Sequence, residues 1–412
     1  ETDGSDDIEE PEPSVSAPEV SPPELASVAK ETWVFAEPRW KSRRLGYLRA
    51  GAVVTRRDKP SGSSSCPGGW YHVEPKGYVC VGATASLDVF HPVVEASTIR
   101  PRLDGLPYTY VQSRYPPPPL YARLPSAAEA AIAEPDLASH LRKVKNAERD
   151  PAYVEPPPED ALASALLYGQ PLPAFENRWR SPETVLLGHA RTRSGYALLS
   201  TFDHDGRRFG LTTELELLPL DRTRVVKPSS FEGVALGGET TLPIAFVMRK
   251  HAFRYDGSTG KGLVRGEALG FREAVPLTGQ AKTVSGVRYL EAKDGTFVRD
   301  DQVVRLDPPK RAPGWASGGR KWVDVSILRQ ALVAYEGETP VYATLVSTGR
   351  DGLGDPKKTH ATIRGAFLIH TKHVSTTMDG DDAGDEFDLR DVPFVQYFTE
   401  GFALHGAYWH DD

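Results

Sequence analysis

The chain has 412 residues, enough for two to four domains, and its 39% hydrophobic and 25% charged content is ordinary for a globular protein. The formal net charge of −7 is concentrated at the start: Glu1 to Glu24 hold nine acidic residues and no Lys or Arg, which leaves +2 for the remainder. This balance gives no support to nucleic-acid binding. The sequence contains no apolar run of about eighteen residues, so no membrane span is predicted.

Residues 1–30 are predicted to form a disordered, acidic, Pro-rich tether. Five prolines between Pro11 and Pro23 are mixed with acidic and Ser residues, and such a segment buries too little apolar surface to offset its ordering entropy. A tether of this kind suits either a spacer from an N-terminal anchor upstream or an inert leader. The chain opens with Glu1 rather than Met, as a mature or trimmed form would.

Residues 31–86 are predicted to form a small β-barrel. Short apolar segments separated by Gly turns fit a closed barrel, which removes exposed strand edges. The segments are Val34–Pro38, Leu45–Val54, Gly69–Val73 and Gly77–Val81. Their order resembles that of bacterial SH3-like domains, which often flank cell-wall enzymes.

Cys66 and Cys80 are the only cysteines of the chain, and both fall in this first module. Their proximity suits a disulfide formed in an oxidising compartment. Two buried thiols are the alternative, and the sequence favours neither.

Two further SH3-like modules are predicted, at 106–225 and 240–308. In each, an aromatic strand precedes a Gly turn and a second short aromatic strand, and generic β-hairpins are the alternative interpretation of this pattern. The paired segments are Gly195–Leu199 with Gly206–Leu211, and Val287–Glu291 with Gly295–Val298. An Ala-rich helical insertion near 126–147, broken at Pro135, is predicted to split the second module.

Residues 320–412 contain short β-branched runs separated by Gly, Glu and Pro, a pattern typical of strands and hairpins. The predicted fold class is therefore mainly β: small SH3-like barrels, then a β-rich domain, with one short helical insertion. Near the end, Phe402–Leu404 predicts a short buried strand, with His405 at its terminus and Gly406 beside it. If Leu404 enters the core, strand alternation turns His405 toward a cleft, where imidazole can exchange a proton near neutral pH.

This C-terminal stretch resembles the L,D-transpeptidase (YkuD-type) catalytic domain, a family that cross-links bacterial peptidoglycan through a cysteine in a Ser-His-Gly-Cys motif. The resembling segments are Lys321–Ser326, Gln330–Gly337, Tyr342–Gly349, Lys358–Phe367 and Phe402–Gly406. The 412 residues contain no Ser-His-Gly-Cys. The resemblance implies that the motif lies beyond Asp412, so the catalytic domain at 320–412 is expected to be incomplete.

The resemblance also implies the roles of individual residues. His405 would be the catalytic base that takes the thiol proton. Gly406, Tyr408 and Trp409 would line the substrate-binding cleft, with a core role for Tyr408 and Trp409 as the alternative.

Two acidic clusters contain residue types that can bind metals, but no metal or cofactor is predicted. His405, His410, Asp411 and Asp412 combine imidazole with carboxylate, but their spacing matches no zinc signature. The segment Asp379–Glu386 lacks the ligand order of an EF-hand loop. It is predicted to be a solvated loop inserted into the catalytic domain, with weak calcium binding as the alternative.

The function implied is a peptidoglycan L,D-transpeptidase that cross-links stem peptides through a cysteine acyl-enzyme in the periplasm or cell envelope. Its expected partners are peptidoglycan stem peptides. The alternative is a non-catalytic wall-binding or scaffolding protein with a degenerate transpeptidase domain. Residues encoded after Asp412 distinguish the two: a Ser-His-Gly-Cys favours the enzyme, and a stop codon favours the scaffold.

Overall fold

A computed structural model describes residues 22–97, 99–147, 184–258, 262–382 and 385–410. The chain packs into two units, and it crosses between them three times. The first unit runs up to Val226 and also contains Val374–Pro393; the second contains Lys227–His373 and Phe394–Asp412. Strands dominate the described residues of both units, which confirms the mainly β fold class.

Seven short strands form the first part of the first unit. They are β1 (Glu24–Ser27), β2 (Glu31–Phe35), β3 (Arg44–Arg49), β4 (Val53–Thr55), β5 (Trp70–His72), β6 (Tyr78–Cys80) and β7 (Ala85–Ser86). They make a three-stranded sheet in the order β4-β1-β7 and a four-stranded sheet in the order β3-β2-β6-β5. The assignment of these strands to an SH3-like barrel stays a prediction.

Strand β1 lies inside the range predicted as a disordered tether. Leu25 and Ala26 are fully buried, and Leu25 pairs with Val54 across the sheet. The prediction was wrong for these residues, because a single Leu-Ala-Ser segment with a partner strand buries enough surface to order it despite Pro-rich neighbours. Residues 1–21 of the predicted tether lie outside the described residues.

Cys66 and Cys80 are bonded to each other in the structure. They pack with Phe35 and the fully buried Trp70 in one small core cluster. The disulfide closes a short loop of the chain. Because it restricts the unfolded state, closing such a loop stabilises a small domain by about 3 kcal/mol. The bond also means that neither cysteine offers a free thiol.

Up to Val226, the described residues of the first unit add three helices and seven more strands. The helices are α1 (Pro92–Ala96), α2 (Ala127–Ala133) and α3 (Leu137–Ala147). The strands are β8 (Thr109–Ser113), β9 (Pro119–Tyr121), β10 (Leu186–His189), β11 (Gly195–His204), β12 (Arg207–Thr212), β13 (Leu217–Pro219) and β14 (Thr223–Val225), with a 3₁₀ turn at Leu220–Arg222. Helices α2 and α3 occupy the predicted insertion near 126–147 and break around Pro135.

A buried ionic network fixes the break between α2 and α3. Glu134 is 3% exposed and accepts hydrogen bonds from both Arg207 and Arg222. Arg207 also binds Asp221, and Arg222 binds Asp136 at 2.7 Å. Each buried charge therefore has an opposite partner, which is the condition under which such charges are tolerated. Ser126 begins α2 with a capping box to Glu129.

The second unit begins with a seven-stranded sheet. Its strands are β16 (Ile244–Val247), β17 (Ala252–Asp256), β18 (Val264–Leu269), β19 (Ala274–Val284), β20 (Val287–Ala292), β21 (Phe297–Arg299) and β22 (Val303–Leu306), with a 3₁₀ turn at Asp300–Gln302. The order is β18-β17-β21-β20-β19-β16-β22. These strands lie within residues 240–308, and the assignment of this range to a third SH3-like module stays a prediction.

The same unit contains a four-stranded and a three-stranded sheet. The first joins β15 (Val234–Ala235), β23 (Lys321–Ser326), β24 (Ala331–Glu336) and β25 (Thr339–Leu345) in the order β15-β25-β24-β23. The second joins β26 (Thr371–Lys372), β29 (Gln396–Thr399) and β30 (Phe402–Leu404). One apolar cluster, including Phe246, Val333 and Tyr335, joins the seven-stranded and four-stranded sheets.

A hairpin formed by β27 (Ser375–Asp382) and β28 (Asp385–Pro393) replaces the predicted solvated loop. The prediction was wrong because the Asp-rich composition suggested a loop, whereas the pairing of the two strands with each other and of β28 with β11 supplies partners for their backbone. Leu389 and Val392 are buried. We call Ser375–Pro393 the acidic hairpin.

Charged side chains hold the acidic hairpin in the first unit. Arg390 contacts Glu214 at 2.5 Å and Glu216 at 2.6 Å, and Arg49 pairs with Asp391. Burial acts to raise the pKa of Asp391, but Arg49 and the hydroxyl of Ser375 outweigh it, so the pKa lies below its ordinary value. A depressed carboxyl pKa stabilises the fold above about pH 3.9, and this contribution disappears as pH falls through the lowered value.

We predict that Asp391→Asn destabilises the first unit by about 3 kcal/mol, because it leaves the Arg49 guanidinium without its charged partner. It should also weaken the loss of stability below pH 4. Equilibrium unfolding at pH 7 and pH 3.5 measures both effects. Asp203→Asn is the matched control, since Asp203 pairs with Arg208 at the surface and its side chain is 60% exposed. Equal effects of the two substitutions would contradict the assignment.

Candidate functional site

The strand predicted before His405 is present as β30, paired antiparallel with β29. Leu404 lies opposite Gln396, and Ala403 lies opposite Tyr397. Phe402, Ala403 and Leu404 are half-buried rather than fully buried. The expectation that Leu404 anchors this strand in a core is therefore wrong, because β30 lies at the edge of a three-stranded sheet.

His405 follows β30 and is exposed. Its imidazole stacks on the Trp409 ring, with centroids 5.5 Å apart and an angle of 27° between the planes. The Nδ1 atom lies 3.3 Å from the carbonyl oxygen of Gly406. Desolvation by its surroundings, together with the nearby His410, lowers the pKa of His405, and the Gly406 carbonyl partly opposes this. A neutral imidazole at neutral pH can accept a proton.

The remaining predicted site residues lie on the same short loop. Tyr408 is 6% exposed, and its ring meets that of Trp409 edge-on at 5.2 Å. Trp409 is half-buried, and its ring also meets that of His410. The structure thus brings His405, Gly406, Tyr408 and Trp409 together, with Tyr408 packed inside and His405 outside. Whether they act on a substrate stays a prediction.

A second loop in the same unit, Val346–Gly349, is held in place by Gln330. The Gln330 side chain accepts a hydrogen bond from the Thr348 backbone N–H at 2.7 Å and donates one to the Thr348 hydroxyl. Its backbone carbonyl accepts from Val346 N–H at 2.9 Å. Gln330 begins one of the segments that resemble the L,D-transpeptidase domain, but this role was not predicted, because a lone Gln before a strand gives no signal of it.

The end of this loop is packed against 360–362. A Cβ on Gly349 would lie 2.0 Å from the carbonyl oxygen of His360 and 2.8 Å from the backbone nitrogen of Thr362. The Gly349 N–H donates to the Thr362 hydroxyl at 2.8 Å. Only glycine fits this approach of two backbone segments.

The opening strands of this region carry a stacked aromatic pair. Trp322 on β23 and Tyr335 on β24 lie parallel at 4.1 Å, and the Trp322 indole donates to the Gly337 carbonyl at 2.7 Å. Cross-strand aromatic pairs of this kind fix strand register.

Within the residues that the structure describes, no group of three or more His, Cys, Asp and Glu side chains could hold an ion. Asp411 and Asp412 of the zinc alternative lie outside the described residues, as does the tip of the acidic hairpin.

No helix among the described residues is long and apolar enough to cross a bilayer.

These strands and loops fall within a known class of catalytic domain. Residues 320–412 match the family model of the L,D-transpeptidase catalytic domain, YkuD. This match confirms the resemblance that the sequence predicted for the C-terminal part of the chain. No curated protein and no solved structure matches the chain. The matched range includes the acidic hairpin, which belongs to the first unit.

We predict that NMR titration places the His405 pKa below its ordinary value of about 6.5. His410→Ala should raise it, because the electrostatic effect of the His410 ring that disfavours the His405 imidazolium is removed. His251→Ala, at another exposed position, is the control. A His405 pKa that His410→Ala leaves unchanged would show that the two rings are not coupled.

We predict that Gly349→Ala destabilises the second unit by about 1–3 kcal/mol, since the added methyl group forces two backbone segments apart. Gly314→Ala is the matched control, because a Cβ there would meet no atom within 4 Å. Equilibrium chemical unfolding compares them. If Gly349→Ala costs no more than the control, the loop is not packed as described.

Proposed function

We propose that the protein is a peptidoglycan L,D-transpeptidase that cross-links stem peptides through a cysteine acyl-enzyme. The match of residues 320–412 to the L,D-transpeptidase catalytic domain carries the proposal. The exposed His405 at a strand end, with its lowered pKa, supports a base at this position. We further propose a location in the cell envelope, which agrees with the disulfide between Cys66 and Cys80.

The nucleophile in this proposal lies beyond residues 1–412. The two cysteines within the chain are bonded to each other, so neither can form the required thiolate. A cysteine from the Ser-His-Gly-Cys motif would be positioned beside His405. The imidazole would take the thiol proton, and the thiolate would attack a carbonyl of the donor stem peptide.

The acyl-enzyme then forms as the C–N bond to the terminal D-alanine breaks and the imidazolium returns its proton to the leaving amine. The side-chain amine of a second stem peptide then attacks the thioester and gives up a proton to the neutral imidazole, so that the C–N bond of the cross-link forms as the C–S bond breaks and the thiolate leaves. Backbone N–H groups near the cysteine would stabilise the oxyanion in both steps. Gly406, Tyr408 and Trp409 would line the cleft next to the base.

The test uses the protein extended through the natural C-terminus of its gene. We predict that His405→Ala loses acylation by a donor tetrapeptide by a factor of about 10²–10⁴, the range for a lost general base. The exposed His405 contributes little packing, so the melting temperature should stay at the parent value. Mass spectrometry of the acyl-enzyme and of released D-alanine gives the rates.

His410→Ala is the matched control, because His410 is also exposed and lies on the same loop. It should retain most of the parent rate. Parent-rate acylation by His405→Ala, or a complete loss in His410→Ala alone, would assign the base to the wrong histidine. A gene that ends at Asp412 would instead favour the non-catalytic wall-binding or scaffolding protein.

A further inference from the structure

A small polar cavity of about 40 Å³ lies within the first unit. One buried water needs roughly 10–15 Å³ of volume open to the centre of a water-sized sphere, so the cavity has room for a small polar group. Its walls include Glu31, Tyr47, Arg49, Ser97, Tyr108 and Thr213. All residues that line it belong to the first unit, whereas His405 belongs to the second.

The two cations that line the cavity are already paired. The Lys30 ammonium binds Glu214, and the Arg49 guanidinium binds Asp391 at 2.5 Å. Arg49 also donates to the carbonyl oxygen and the hydroxyl of Ser375, each at 3.0 Å. An anionic ligand would have to displace a carboxylate from one of these cations. The cavity therefore does not favour anions.

The groups without partners are hydrogen-bond acceptors. The Glu31 carboxylate is half-buried and forms no hydrogen bond or ion pair with the described residues. The Ser97 hydroxyl oxygen is buried without a partner among those residues, and Ser97 is 4% exposed. The Thr213 oxygen is also buried; it faces Asp391 closely enough to affect its pKa without completing a hydrogen bond. Leaving such a group unsatisfied costs about 1–3 kcal/mol.

An ammonium group meets all of these requirements. Its three N–H donors match one carboxylate and two hydroxyl oxygens. Its positive charge would pair with the Glu31 carboxylate. The Tyr47 and Tyr108 side chains and the apolar Ile99 and Leu199 also line the cavity and can contact a short hydrocarbon stem.

We propose that this cavity is a binding site for a primary ammonium group on a short aliphatic stem. Two sources share this chemistry: a free small amine and an amino-bearing side chain of a peptide. The proposal is independent of the transpeptidase function, because it uses none of the residues assigned to the His405 site.

The experiment titrates the full chain with propylammonium by ligand-observed NMR and calorimetry, with acetate as the opposite-charge probe. Propylammonium should bind with a Kd of about 1 mM, the scale expected for so few atoms, and acetate should not bind. Acetate binding in place of propylammonium, or no binding by either, would overturn the proposal. An N-acetylated lysine amide separates the sources: tighter binding than propylammonium indicates a peptide side chain, and equal binding indicates a free amine.

Three variants localise the site. Glu31→Gln should weaken propylammonium binding at least about tenfold, in line with loss of a charge-assisted contact. Glu37→Gln is the matched control, because Glu37 lies in the same part of the chain but is 58% exposed and paired with Arg39. Ser97→Ala separates a loss of binding from a loss of folding. Removing an unpartnered buried hydroxyl should leave the melting temperature unchanged or higher, yet weaken binding. Full affinity in both Glu31→Gln and Ser97→Ala would show that the amine binds elsewhere.

Discussion

The buried pairing of Arg49 and Arg390 with carboxylates of the first unit is the constraint on which the chain's organisation depends. Asp391 is 3% exposed, and its backbone carbonyl also accepts a hydrogen bond from the Tyr110 hydroxyl at 2.6 Å. Glu214 receives Lys30, Arg390 and the Thr377 hydroxyl. Removing Arg49 or Asp391 leaves the other charge buried without its ion-pair partner, which costs far more than a surface ion pair contributes. The acidic hairpin is thus an integral part of the first unit.

Much of this architecture was visible in the sequence, since local patterns set it. The helix break at Pro135 and the short strand before His405 each depend on residues close together in the chain. The family of the C-terminal domain was visible for the same reason, because its motifs are short and contiguous.

The acidic hairpin and the ion pairs escaped prediction, because their partners are far apart in sequence. Arg49 and Asp391 are separated by 342 positions, and Arg390 and Glu214 by 176. An Asp-rich segment is predicted as a loop unless the cation that will neutralise it is known. In the second unit the unpredicted element was Gln330, whose role depends on a loop 18 positions away. Sequence pattern places His405 after a strand, whereas the hydrogen bonds that hold the Val346–Gly349 loop are a tertiary property.

The interruption of the second unit by Val374–Pro393 has a consequence for biosynthesis. During translation the first unit emerges up to Val226, yet its sheet still lacks β27 and β28, which follow the whole of Lys227–His373. Until β28 has been translated, Arg390 cannot pair with Glu214 and Glu216. Closing such a distant contact is slow, and an unfilled strand edge invites pairing with other chains in the interval. The acidic residues around that gap would repel a second copy of the same incomplete unit. The charges that later anchor the hairpin can therefore also hinder self-association of the nascent chain.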